Sequence, residues 1–367
     1  MLASRIIDGD GHVLEDLQAI ARHMPDVYRD IPRLPGRLMP PLDHLHIGWI
    51  GKSPEGAFAP TGPNEWYQFM EDVGVESAVL YPTTGLGYYK INDIDWAVAV
   101  ARAYNNWLHE DYLQRSPRFI GMGLIPMQEP EEAVAELRRI VQDLGMRGAM
   151  LGPNSLAPHL GSKVYWPIYA AANELGCSLA VHGGCHSRIG MDYMNVFAGI
   201  HAIGHPMGQL ISFTALLFNG IFDRFPNIRF GFLEAGVAWL LLALERCDGS
   251  YKGFIPYDLR GELIQLRDGE SVRDHIIRHI KEGRIFVGCE GDEPDLAYAI
   301  KVAGNEPFFF SSDFPHEVNA VTCKEEIEEL LEAHDLSDAD KEAVLYRNSE
   351  RFYNLSPVNI REQASTR

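Results

Sequence analysis

The chain has 367 residues, 46% of them hydrophobic, enough for a large core and of a length normal for one α/β barrel carrying insertions. Its formal charge of -19, without a basic cluster, argues against nucleic acid or an anionic membrane as a partner, because both attract clustered Lys and Arg. No apolar stretch approaches a membrane span, and the first apolar run begins at Ile6, too close to Met1 for a signal peptide, so a cytoplasmic protein is expected.

In chain order, the run from Arg5 to Gly11 is the first of eight short segments rich in β-branched and aromatic residues. A Pro- and Gly-rich stretch from Val13 to Pro63 follows, too long for a simple βα connection and expected to cap the mouth of the fold. Strands are then predicted over Glu76 to Pro82, Phe119 to Pro126, Arg147 to Pro153, Ser178 to Gly183, Ile228 to Glu234, Arg284 to Glu290 and Phe308 to Asp313. Amphipathic segments between and after them predict helices over Ile94 to Gln114, Pro130 to Leu144, Trp166 to Leu175, Met207 to Arg224, Trp239 to Tyr251, Asp295 to Ala303 and Lys324 to His334. Further insertions are expected from Cys185 to His205 and from about Lys252 to Lys281, and the tail after Pro357 is polar. This alternation predicts one domain over residues 1–367, a (β/α)8 TIM barrel with long cap insertions after strands 1 and 5. A doubly wound nucleotide-binding sheet is disfavoured, since Asp8-Gly9-Asp10-Gly11 lacks the GxGxxG pattern.

In a parallel barrel the chemistry stands at the carboxyl ends of the strands, and here those ends are polar. The first carries Asp10 and His12, the fifth His182, the sixth Glu234, the seventh Glu290, and the eighth Asp313 with His316 just beyond. Asp10 and His12 are two apart on one strand and so face the same side. Carboxylates converging in a partly dry cavity repel one another unless a cation neutralises them, and mixed imidazole and carboxylate donors suit Zn²⁺, Fe²⁺ or Mn²⁺. The five cysteines are odd in number and show no CxxC spacing, which predicts reduced thiols; Cys289, beside Glu290, reads as a buried structural thiol.

Asp10-Gly11-His12, Val181-His182-Gly183-Gly184 and Ser312-Asp313-Phe314-Pro315-His316 resemble the metal motifs of the amidohydrolase superfamily, in its amidohydrolase-related branch that includes aminocarboxymuconate semialdehyde decarboxylase. The resemblance runs from Ile6 to about Tyr353 and implies Asp10, His12, His182 and Asp313 as metal ligands. It departs from the superfamily pattern in two places: Asp-x-His replaces His-x-His on the first strand, and Glu234 stands where many relatives place a His. Glu234 or Glu290 would have to help hold any second metal.

Glu15 reads as a further ligand, a partner behind a ligating imidazole, or a helix N-terminal acid, while His186, Arg188 and His316 are candidate substrate contacts. His201 and His205 are assigned to the opening of the following helix, and Trp49, Trp66, Tyr88 and Tyr89 to the core in preference to a cap pocket. Catalytic roles fall to Asp313, Glu234 and His182, acting on a small carboxylate-bearing substrate by metal-dependent hydrolysis or non-oxidative decarboxylation. Two alternatives are a dinuclear iron or iron-manganese oxygenase, favoured by the extra carboxylate at Glu234, and a silent partner subunit of an active paralogue. A homo- or hetero-oligomer is expected.

Overall fold

The computed structural model describes residues 5–42, 57–154, 156, 158–260 and 263–355. Eight strands are ordered in space as in sequence: β1 (Ile7–Val13), β2 (Ser77–Pro82), β3 (Phe119–Leu124), β4 (Gly148–Leu151), β5 (Ser178–His182), β6 (Arg229–Leu233), β7 (Ile285–Cys289) and β8 (Phe308–Phe310). All seven successive pairings are parallel. The ring closes just past β8, where Asp313 N donates to Asp10 O at 3.0 Å and His12 N to Phe314 O at 2.7 Å. Every strand residue but Arg229 is buried, because helices cover the outside and side chains fill the inside. These features make the (β/α)8 barrel that the alternation of runs predicts.

Several boundaries differ from expectation, each for a local reason. The helix expected from Met207 begins ten residues earlier and spans Phe197–Phe218, followed by a short helix Ile221–Arg224. Pro206 lies inside it, and a proline inside a helical pattern reads as a start or a stop. The insertion after β5 therefore ends as helix. The third expected insertion is also helical at both ends, with Ala238–Phe254 running past Tyr251 and Val272–Lys281 opened by a Ser271–Asp274 capping box. Helices at Pro63–Val73, Asp338–Glu342 and Asn348–Tyr353 are additional to those read from the sequence. The last of these closes the barrel from below, with Tyr353 Oη donating to Gly9 O at 2.6 Å.

Between β1 and Pro63 the chain forms the helices Leu17–Arg22 and Asp26–Arg29 and the turn Leu34–Arg37. Trp49 and the tail after Pro357 lie outside the described residues, whereas Trp66, Tyr88 and Tyr89 are buried in the core. All five cysteines are buried and none is in a disulfide, and burial pushes the Cys289 thiol well above its ordinary range, as befits a structural residue. Among the described residues no helix is long and apolar enough to cross a membrane.

Candidate metal centre

β1 carries Asp10 and His12 through a register shift between Asp8 and Gly11. Trp66 packs where a side chain at residue 11 would stand, 2.3 Å from the position of an added Cβ, and its Nε1 donates to His12 O at 2.8 Å. His12 Nδ1 lies 2.9 Å from Pro82 O, an oxygen that can only accept. Its proton is therefore on Nδ1, and the lone pair of Nε2 faces the barrel mouth. His182 is oriented the same way, with Nδ1 3.1 Å from Gly183 O and Nε2 3.2 Å from Asp10 Oδ1. Gln209, from the helix Phe197–Phe218, ties the ends of β5 and β6 by donating to Val181 O at 3.0 Å and Leu233 O at 2.8 Å. Glu234 and Asp313, each just beyond its strand, have φ of 51° and 54°. That left-handed conformation is sparsely populated by non-glycine residues and, held by its surroundings, re-aims both carboxylates inward.

The side chains meet around His12 Nε2, which is 3.3 Å from Glu234 Oε1, 3.3 Å from Asp313 Oδ1 and 3.7 Å from Asp10 Oδ1. His316 stacks on His12 with ring centroids 4.1 Å apart and places Nδ1 2.7 Å from Asp313 Oδ1. Two overlapping donor groups result, His12–Glu234–Asp313–His316 and Asp10–His12–His182, each with its ligand atoms within 4.8 Å of one another. Asp10 Oδ2 and His12 Nε2 are buried without a hydrogen-bond partner. Such atoms are costly unless something with positive charge meets them, and a divalent cation fits this donor set without thiolates.

The protein alone distributes protons unevenly here. Burial pulls the His182 imidazole down, yet the Glu234 and Asp10 carboxylates outweigh it and lift it to about 9. His12 is held low by burial and by the neighbouring His316 and His182. Burial raises Glu234, but His182 and the other imidazoles hold it well below the usual carboxylate range. Asp313 is driven up by burial, more than the adjacent His316 pulls it down, and the charge on Glu234 raises it further. His316 is raised by Asp313 and Glu234 against the effect of burial.

Glu234, Asp313 and His316 of the cluster line a cavity of about 900 Å³, with apolar walls from Phe58, Leu86, Phe197 and Pro206. Leu42 and Phe58 come from the segment after β1, and His186 and Phe197 from the segment after β5, so both insertions shape the entrance. Glu290 is on the cavity wall but in neither donor group, and burial raises its carboxyl. Arg188 is elsewhere, lining a separate pocket of about 260 Å³ with Tyr89 and Gln128. Glu15 is occupied by backbone: its two oxygens accept from Thr84 N at 2.9 Å and Gly85 N at 2.7 Å, so it anchors the turn Thr84–Lys90 after β2. This is the N-terminal acid among its three readings, serving a different turn from the one next in sequence. His201 and His205 do belong to the helix after β5, but they also line the cavity, and His205 Nδ1 is 3.2 Å from Glu234 Oε2. Their four-residue spacing, which puts both on one helix face, was the available signal.

A (β/α)8 barrel that gathers imidazoles and carboxylates at the carboxyl ends of its strands has the architecture of a barrel metalloenzyme. The chain belongs to the family described as Amidohydrolase, which it matches over residues 7–355. It is 24% identical over 262 residues to 2-amino-3-carboxymuconate-6-semialdehyde decarboxylase of Dictyostelium discoideum, covering 71% of this chain and 68% of that one. To gamma-resorcylate decarboxylase of a Polaromonas species it is 23% identical over 303 residues, covering 79% and 86% of the two chains. A solved 5-carboxyvanillate decarboxylase of Novosphingobium aromaticivorans, complexed with manganese and 4-hydroxy-3-methoxy-5-nitrobenzoic acid, superposes with a TM-score of 0.66 at 21% identity, over 96% of each chain.

Proposed function

We propose that the protein is a metal-dependent, non-oxidative decarboxylase of a small conjugated carboxylate, such as a hydroxylated aromatic acid. The observation that carries this reading is the buried donor cluster that opens through Glu234, Asp313 and His316 into a largely apolar cavity: one charged end for a carboxylate, apolar walls for the ring. The named relatives, three decarboxylases of carboxylated substrates, support it.

Asp10, His12, His182 and Asp313 would hold a divalent cation, which would supply positive charge to attract the substrate's carboxylate. Asp313 then has the role of proton donor. Its proton goes to the carbon that bears the carboxylate, the carbon–carboxylate bond breaks, its electron pair restores the conjugated system, and CO₂ leaves. One proton is consumed and nothing is oxidised. Without a cation, burial and the ionised Glu234, itself held by His182, His12, His205 and His316, favour the protonated form of Asp313. His316 relays the proton to Asp313 across their 2.7 Å contact, and His186 faces the substrate from the cavity wall. Arg188 lines the other pocket and is given no part in this reading. A dinuclear oxygenase gains no support from the donors, because the two groups share His12 and Glu290 stands outside both.

The test is anaerobic CO₂ release from a panel of hydroxybenzoates and unsaturated dicarboxylates, with protein reloaded with manganese, zinc or iron. Turnover is expected without oxygen, and Asp313→Asn should lower kcat by about 10²-fold or more, the usual size of a lost general acid. Product formed only with stoichiometric oxygen uptake, or full activity in Asp313→Asn, would overturn the assignment.

A further inference from the structure

A second cluster of metal-type donors sits at the opposite end of the barrel, ahead of β6 and β7. His275 and His279 are one turn apart on the helix Val272–Lys281 and both are completely buried. Asp223, on the short helix Ile221–Arg224 that precedes β6, faces them. The triangle is tight: His275 Nε2 to His279 Nε2 is 3.1 Å, His275 Nε2 to Asp223 Oδ2 is 3.5 Å, and His279 Nε2 to Asp223 Oδ1 is 3.6 Å. Ligands bound at roughly 2.0–2.1 Å in a tetrahedral zinc site stand about 3.3 Å apart, which is the mean of this triangle to within a few tenths of an ångström.

Arg278 Nη2 is 2.8 Å from His275 Nδ1 and can only donate, so in the metal-free protein the neutral His275 carries its proton on Nε2. His275 Nε2–H then points into the space shared with His279 Nε2 and both oxygens of Asp223, of which Oδ2 also accepts from Gln265 N at 3.0 Å. A carboxylate stands behind each imidazole: Glu270 Oε2 is 3.4 Å from His275 Nδ1, and Glu282 Oε2 is 3.5 Å from His279 Nδ1. Metal-binding histidines are commonly oriented by such outer carboxylates. His279 Nδ1 is buried with no hydrogen bond of good geometry.

We propose that Asp223, His275 and His279 form a second cation site, for zinc or a similar borderline divalent ion, which clamps the helix before β7 to the turn before β6. On binding, the His275 proton moves from Nε2 to Nδ1 with no net proton released, and Arg278 Nη2 turns from Nδ1 to Glu270 Oε2, 3.2 Å away. Arg278 keeps its 2.7 Å contact from Nε to Glu270 Oε1. The proposal is independent of the reaction catalysed at the other end of the barrel.

The experiment uses the full chain, stripped with chelator, desalted and titrated with Zn²⁺ alone by calorimetry, with bound metal counted by mass spectrometry. Asp223→Asn keeps the shape and the acceptor for Gln265 but removes the anionic donor, and it should bind one equivalent less than the unaltered protein. A His12→Ala, Asp313→Ala double variant, damaged only in the strand-end cluster, should keep one equivalent, and with Co²⁺ should show the intense visible bands of a tetrahedral ion. Equal zinc stoichiometry in Asp223→Asn and the unaltered protein, or no bound cobalt in the double variant, would overturn the site.

Discussion

Among single residues, Gly183 shows how closely the centre is built. An added Cβ there would lie 1.9 Å from His205 Nδ1, the atom that faces Glu234. Gly183→Ala is therefore expected to displace His205 while leaving the barrel folded, and to lower kcat more than it raises KM. Measured steady-state kinetics with an unchanged far-ultraviolet circular dichroism spectrum would check this, and unaltered kcat would remove His205 from the functional set. The strand-end residues Asp10, His12, His182 and Asp313 were legible in the sequence because each follows or ends an apolar run, a purely local signal. His205 was not, since its contact with Glu234 joins the helix after β5 to the end of β6 and Pro206 obscured where that helix starts. Glu15 shows the same limit: its chain position named the possibilities, and only the approach of the Thr84 and Gly85 amides chose among them.

Between elements, the loop after β7 and the helix Ala320–Glu332 confine an acidic group whose cost depends on pH. Residue 291 is glycine where an added Cβ would meet Glu326 O at 2.3 Å, so the two segments are in close contact. Burial, with the nearby Glu290, Asp292 and Asp8, pushes the Glu326 carboxyl up to about 8, and its Oε2 is buried without a partner. A carboxyl raised in the folded state stabilises the fold while the unfolded chain is also protonated, below about pH 4.5, and that contribution is lost as pH rises through about 8. The melting temperature should thus fall from pH 5 to 8.5 at saturating metal, and the fall should be shallower in Glu326→Gln. Parallel melting curves of the two proteins across that range decide it; identical slopes would mean that Glu326 is solvated. Helix boundaries at this scale were readable where caps and apolar periodicity agreed, as at Pro130–Gln142 and Trp166–Leu175. They failed where a proline inside Phe197–Phe218 looked like an end.

For the whole molecule, the strand-end cluster joins β1, β5, β6 and β8, so a cation held there would bind the folded barrel and not the unfolded chain. At a hundredfold excess over its dissociation constant such an ion adds about 2.7 kcal/mol, and stripping it should lower the melting temperature by roughly 3–4 °C, restored on adding manganese. Scanning calorimetry before and after chelation measures this, and an unchanged melting temperature would argue against tight binding in the folded state. The sequence by itself determined the barrel, because eight buried strands and their helices write local periodicities that need no knowledge of what they pack against. It also determined which strand ends are polar. Only the tertiary structure decided which of those groups converge, bringing Glu234 to His12 and leaving Glu290 and Arg188 outside the cluster, and only it brought Asp223 to His275 and His279. The reason is physical: side-chain type and spacing are properties of short segments, whereas a site is a set of distances between segments, fixed only once the ring has closed.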